Sequence, residues 1–94
     1  MSADNIAEAG RLVATAVEIQ LGVGTESGTL EDAERFLLRA LELHPNSFDA
    51  LEELAHFYDA VTPVPEKARA FAQVCREMAL RLAADMDAII QGSN

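Results

Sequence analysis

Apolar residues recur along this chain at helical spacing, in separate runs divided by glycines or prolines. In the first run Ile6, Ala9, Val13, Ala16 and Gln20 mark one face, and Leu12, Val17 and Ile19 widen it. The spacing predicts a helix from about Ala3 to Leu21, with Ser2 as N-cap and Asp4 and Glu8 near the positive end of its dipole. Gly22 to Gly28 breaks the pattern with glycines and small polar residues, which predicts a loop. The second run carries Leu30, Ala33, Leu37, Ala40, Leu41 and His44 on one face, flanked by Phe36 and Leu43. Thr29-Leu30-Glu31-Asp32 approximates a capping box at its start, with Asp in place of the usual Glu or Gln. Pro45 ends it, because the residue before a proline is pushed out of the α region.

Asn46 or Ser47 is positioned to cap a third helix with apolar residues Phe48, Leu51, Leu54, Ala55 and Tyr58. Thr62-Pro63-Val64-Pro65 reads as a rigid turn, with Pro65 at the first position of a fourth helix. That helix is expected to run to about Ile90 and stop at Gly92. Ala68, Phe71, Ala72, Cys75, Met78, Ala79, Leu82, Met86, Ile89 and Ile90 keep the helical period almost unbroken. No segment alternates with period two, so no strand is expected. The pattern predicts one all-α domain over residues 1–94, made of two antiparallel helical hairpins with an extended C-terminal helix. The apolar stripe at Leu82, Met86, Ile89 and Ile90 outruns the shorter helices. Cover by the long first helix is expected ahead of cover by a second copy of the chain.

A repeat of about 35 residues runs through the later helices: advancing that far from Ala33, Leu37 and Ala40 lands on Ala68, Ala72 and Cys75. Ala33-x₃-Leu37-x₂-Ala40-x₄-Pro45 is followed by Leu51-x₂-Leu54-Ala55-x₂-Tyr58. Here the sequence resembles the tetratricopeptide repeat family, most closely from Ala33 to Tyr58, where Ala-Leu-Glu-Leu-His-Pro-Asn-Ser is similar to the junction of two repeats. Leu51 stands where that family prefers Trp and Ala55 where it often has Gly. The glycine loop is longer than the family's turn, and the fourth helix lacks its terminating proline. The resemblance implies α-solenoid packing, with Ala33 and Ala40 at close helix approaches and Leu51, Leu54 and Tyr58 filling the gap between. It also implies protein binding in a groove lined by the first and third helices.

Composition narrows the function. Seven basic residues among sixteen acids give a formal charge of −9, which disfavours nucleic acid and anionic membranes, both of which need clustered Lys and Arg. A basic protein or peptide is electrostatically easier to accept. The lone cysteine, Cys75, excludes an intramolecular disulfide, and its place on an apolar stripe reads as a buried, inert thiol. With no signal-peptide pattern at the N-terminus and no apolar run of about 20 residues, a reducing, cytoplasmic setting is expected.

No catalytic arrangement or cofactor motif is legible, so the chain is read as a binding module and not an enzyme. Gly22-Val23-Gly24 lacks the lysine and preceding strand of a phosphate-binding loop. His44 suits a helix C-terminus. The residues of the third helix that avoid the core are Asp49, Glu52, Glu53, His56 and Asp59. Four of them follow the spacing 3, 4, 3 and share a stripe, and no Lys or Arg lies between Pro45 and Pro65. That face is the candidate docking site for a helix or peptide, the alternative being an ordinary solvated face. Two other functions are weighed beside it. One is self-association through the C-terminal helix, and the other is a small-ligand or metal site at His56 and its acidic neighbours, for which no metal ligand set is assigned.

Overall fold

The computed structural model describes residues 2–22 and 28–92. Most of the glycine loop expected before Thr29 lies outside these. Among the described residues the chain forms α1 (Ala3–Leu21), α2 (Leu30–Leu43), α3 (Phe48–His56), a π turn (Phe57–Val61) and α4 (Pro65–Gly92), with no strand. The fold is all-α, as the periodicity predicts.

Each boundary has a local cause. The Ser2 hydroxyl accepts the Asn5 N–H at 3.1 Å and opens α1. Gly22 closes it in the left-handed region at φ 69°, where a side chain would be strained, and its N–H donates to the carbonyls of Glu18 and Ile19. At α2 the capping box is complete with aspartate: the Thr29 hydroxyl accepts the Asp32 N–H at 3.2 Å, and the Asp32 carboxylate accepts the Thr29 N–H at 3.0 Å. That backbone bond, with Arg35 at 2.6 Å, holds the Asp32 carboxyl below its usual range. Ser47, not Asn46, caps α3, its hydroxyl accepting the Ala50 N–H at 3.2 Å.

The helices form two hairpins around a central third helix. Ile19 lies against Gly28 at one end of the first hairpin, while Ile6 and His44 share a cleft at the other, so α1 and α2 are antiparallel. Phe48 shares a cleft with Cys75 and Ala79, and Tyr58 stacks on Phe71, so α3 and α4 are antiparallel too. α3 touches α1, α2 and α4, whereas among the described elements α4 packs mainly on α3 and the π turn. The core consists of Ala9, Val13 and Ala16 from α1, Ala33, Leu37 and Ala40 from α2, and Ala50, Leu51 and Leu54 from α3, closed by Phe57 and Tyr58. Alanines on facing helices allow close approach, and the bulk comes from the third helix and the turn.

Three expectations need correction. Phe48 and Ile6, assigned to core stripes, are 39% and 45% exposed. Ala50 and Phe57, absent from the expected apolar face, are buried, because a helix packed on three sides buries a second stripe, Ala50-Leu54-Phe57. The third correction concerns α4, which contains no fully buried residue. Ala33, Leu37 and Ala40 are wholly buried, but their repeat equivalents Ala68, Ala72 and Cys75 are not. α2 is held between α1 and α3, and α4 has one neighbour. α1 does not run beside α4, so it does not cover the C-terminal stripe: Leu82, Met86, Ile89 and Ile90 are all exposed. The projecting helix gives a radius of gyration of 15.2 Å, against about 12 Å for a compact domain of this size.

Two outcomes follow for stability. Ala40→Leu inserts bulk where α2 meets its neighbours and is expected to cost about 1–3 kcal/mol, read as a lowered Tm. Deleting residues 85–94 removes exposed surface, so in dilute solution urea unfolding is expected to shift by no more than about 1 kcal/mol. Each fully buried apolar side chain would instead be worth about 1.5–3 kcal/mol.

Candidate functional site

The end of α3 organises the surface of the second hairpin. After His56 the helix widens: the Thr62 N–H donates to the Phe57 carbonyl at 2.9 Å, a step of five residues, and the Val64 N–H to the Tyr58 carbonyl at 2.8 Å. The widened turn sends two consecutive aromatics inward. Phe57 meets Tyr58 edge-on at 5.4 Å, and Tyr58 stacks on Phe71 of α4 at 5.9 Å and 13°. The Lys67 ammonium sits 5.1 Å from the centre of the Tyr58 ring. The Tyr58 hydroxyl donates to the Glu34 carboxylate at 2.5 Å and ties the turn to α2. Burial, and then the bond to Glu34 and its charge, raise the Tyr58 phenol above its usual range.

Beside this cluster an open groove follows the α3–α4 seam. At the turn end it is bounded by Asp59, Pro63, Pro65 and Arg69, and towards the start of α3 by Phe48, Glu52, Cys75, Arg76 and Ala79. Ala55, His56 and Ala72 line both stretches, so the two form one seam. Its floor is mostly alanine. α3 and the turn contribute Glu52, His56 and Asp59 to one rim, and α4 contributes Arg69 and Arg76 to the other. His56 is well exposed, with Nε2 3.9 Å from the Glu52 carboxylate.

The five residues singled out on the third helix are therefore divided. Glu52 and His56 share the seam and Asp59 flanks its turn end, whereas Asp49 lies in a separate cleft with Ile6, Gly10 and His44, between α1 and α3. Glu53 is half-buried. The first and third helices thus share only the acidic residue Asp49 in their cleft, and the groove holding the other acids is mixed in charge. Arg69 and Arg76 were missed because they are distant in sequence. Folding the hairpin about Thr62-Pro63 would have found them, since that fold sets His56 near Arg69 and Glu52 near Arg76. Cys75, expected to be buried, is half-buried at the seam. Burial, and then the Glu52 charge, raise its pKa and keep the thiol protonated.

No group of three or more His, Cys, Asp or Glu among the described residues is arranged to hold a metal ion. No described helix is long and apolar enough to cross a membrane. Compared with known protein families, curated proteins and solved structures, the chain matches none of them. The architecture and the seam therefore rest on the chain's own residues.

The Tyr58 phenol gives a pH signature. Its native pKa lies above the unfolded value of about 10. Its stabilisation is therefore complete below about pH 10, and is lost as the pH rises further, because the unfolded chain then releases a proton the native state retains. Tyr58→Phe is expected to lower stability at neutral pH by about 1.5 kcal/mol, the loss of a bond to a charged acceptor. It should also flatten the alkaline fall in Tm above about pH 10, two readouts that a melting series over pH measures together.

Proposed function

We propose that this chain is a protein-interaction module, with packing like that of tetratricopeptide repeats, which docks an amphipathic helix or extended peptide along the α3–α4 seam. The observation that carries the reading is the seam itself: a continuous floor of Ala55, Ala72 and Ala79 between an acidic rim and a basic one. Small side chains let a ligand backbone approach closely. Opposite charges on the two rims fix its orientation, with cations toward Glu52 and Asp59 and anions toward Arg69 and Arg76. The chain's net charge of −9 attracts basic segments at long range, so the favoured ligand is a peptide with a cationic face. A reducing, cytoplasmic setting belongs to this proposal, in keeping with a single protonated thiol. No catalytic role is assigned to any residue of the seam.

The test is fluorescence anisotropy with amphipathic peptides of graded positive charge. Wild-type binding is expected to strengthen with peptide charge and to weaken with salt, since exposed charges are screened over about 10 Å at 0.1 M. Reversing Glu52 and Asp59 together to Lys is expected to lower affinity about tenfold, at up to about 1 kcal/mol for each exposed pair. Ala72→Trp fills the exposed floor without touching the core and is expected to abolish binding. Affinity unchanged by both substitutions would refute the seam as the docking site.

A further inference from the structure

The second hairpin carries another surface, chemically unlike the seam. At about 100° per residue, Ala68, Phe71, Cys75, Met78, Leu82 and Met86 fall within one arc of about 120° on α4, and Ile90 lies at its edge. The N-terminal part of this arc is the face that α3 packs against. α3 begins at Phe48, which shares a cleft with Ala79, and Asn46 just before it shares one with Met78, Arg81, Leu82 and Asp85; past these the arc continues exposed. Leu82 is 58% exposed and Ile90 63%. The uncovered stripe is thus a continuation of an established helix–helix interface, open for roughly 20 Å at 1.5 Å per residue.

We infer that this stripe is covered by the same stripe of a second copy, in an antiparallel α4–α4 pair centred near Ala83 and Ala84. Charge on the page selects the occupant. The chain as a whole carries −9, but the segment from Arg76 to Gly92 holds two Arg against Glu77, Asp85 and Asp87, so it is nearly neutral. It therefore offers a basic segment no attraction of its own and resists a second copy little. Its charges also complement themselves. Arg81 and Asp85 lie on the same flank of the stripe, so antiparallel pairing sets Arg81 of each copy beside Asp85 of the other. Near that register Leu82 of one copy lies close to Met86 of the other. The start of α3 marks where the incoming helix must stop, which fixes the register near this centre. A contact about 20 Å long and 10 Å wide buries less than the roughly 1,200 Å² total of a standard stable interface. The pair is consequently weak and depends on concentration.

Sedimentation velocity on the full chain, from micromolar to millimolar concentration, tests this. A monomer–dimer equilibrium is expected that strengthens with added salt, because screening relieves the repulsion between two acidic chains. Peptide docking in the seam is expected to weaken with salt, so the two readings fail separately. Leu82→Glu and Met86→Glu, at positions outside the core, are expected to leave helicity and Tm of the dilute monomer unchanged and to abolish the dimer. Arg81→Asp and Asp85→Arg, each alone, are expected to weaken dimerisation about tenfold, and the double exchange to restore it, since both charges reverse in both copies. A chain that remains monomeric at millimolar concentration overturns the proposal. So does a dimer indifferent to Leu82→Glu, or a double exchange no stronger than either single one.

Discussion

Burial of the Tyr58 phenol is the constraint on which the rest of the second hairpin depends. Its ring must pack, its hydroxyl must find an acceptor, and both demands are met by different helices: Phe71 of α4 stacks on the ring, and the Glu34 carboxylate of α2 accepts the hydrogen bond from the hydroxyl. A regular α-helix would carry Phe57 and Tyr58 outward in different directions. The π turn accommodates both aromatics in one interior, and the bonds from Thr62 and Val64 satisfy the Phe57 and Tyr58 carbonyls. Because the same turn leads into Pro63 and Pro65, the anchoring of Tyr58 also sets where α4 departs and how it lies on α3.

The two hairpins then differ for a simple reason. α2 is enclosed by α1 on one side and α3 on the other, so Ala33, Leu37 and Ala40 on its inner face are fully buried. Among the described elements α4 packs mainly on α3 and the turn, so a sequence similar to that of α2 leaves most of its apolar positions exposed. The burial of a given spacing of small and large residues is decided by the number of neighbours, which the spacing does not contain.

The open side of the second hairpin yields two surfaces with opposite electrostatic character. The seam places acids and arginines on facing rims, separated by alanines. The distal stripe is apolar and nearly neutral along its flanks. In the roles proposed for them the first depends on long-range attraction and the second on burial of side chains such as Leu82, so ionic strength is expected to act on them in opposite directions. The two surfaces lie end to end on one helix pair, since the seam reaches Phe48 and Ala79 and the exposed stripe lies beyond, so the two proposed roles do not compete for the same residues.

Much of this architecture was legible in the chain. Helix spans followed from apolar periodicity, and several of their ends from residues whose chemistry acts locally: Ser2, Gly22, Thr29 with Asp32, and Pro45. Such signals act through the nearest few peptide groups, so they survive without knowledge of the fold. The acidic character of α3 was legible for the same reason. Three things were decided only by tertiary structure. Phe57 and Ala50 were buried because α3 acquired neighbours on three sides. Arg69 and Arg76 met Glu52 and His56 because the proline turn folded the hairpin back, which made a mixed groove from a stripe that is purely acidic along the sequence. Leu82, Met86 and Ile90 stayed in water because α1 packed against α2 and α3 and was not available to α4. Residue type and spacing determine what a helix can bury, and the packing of the other helices determines what covers it.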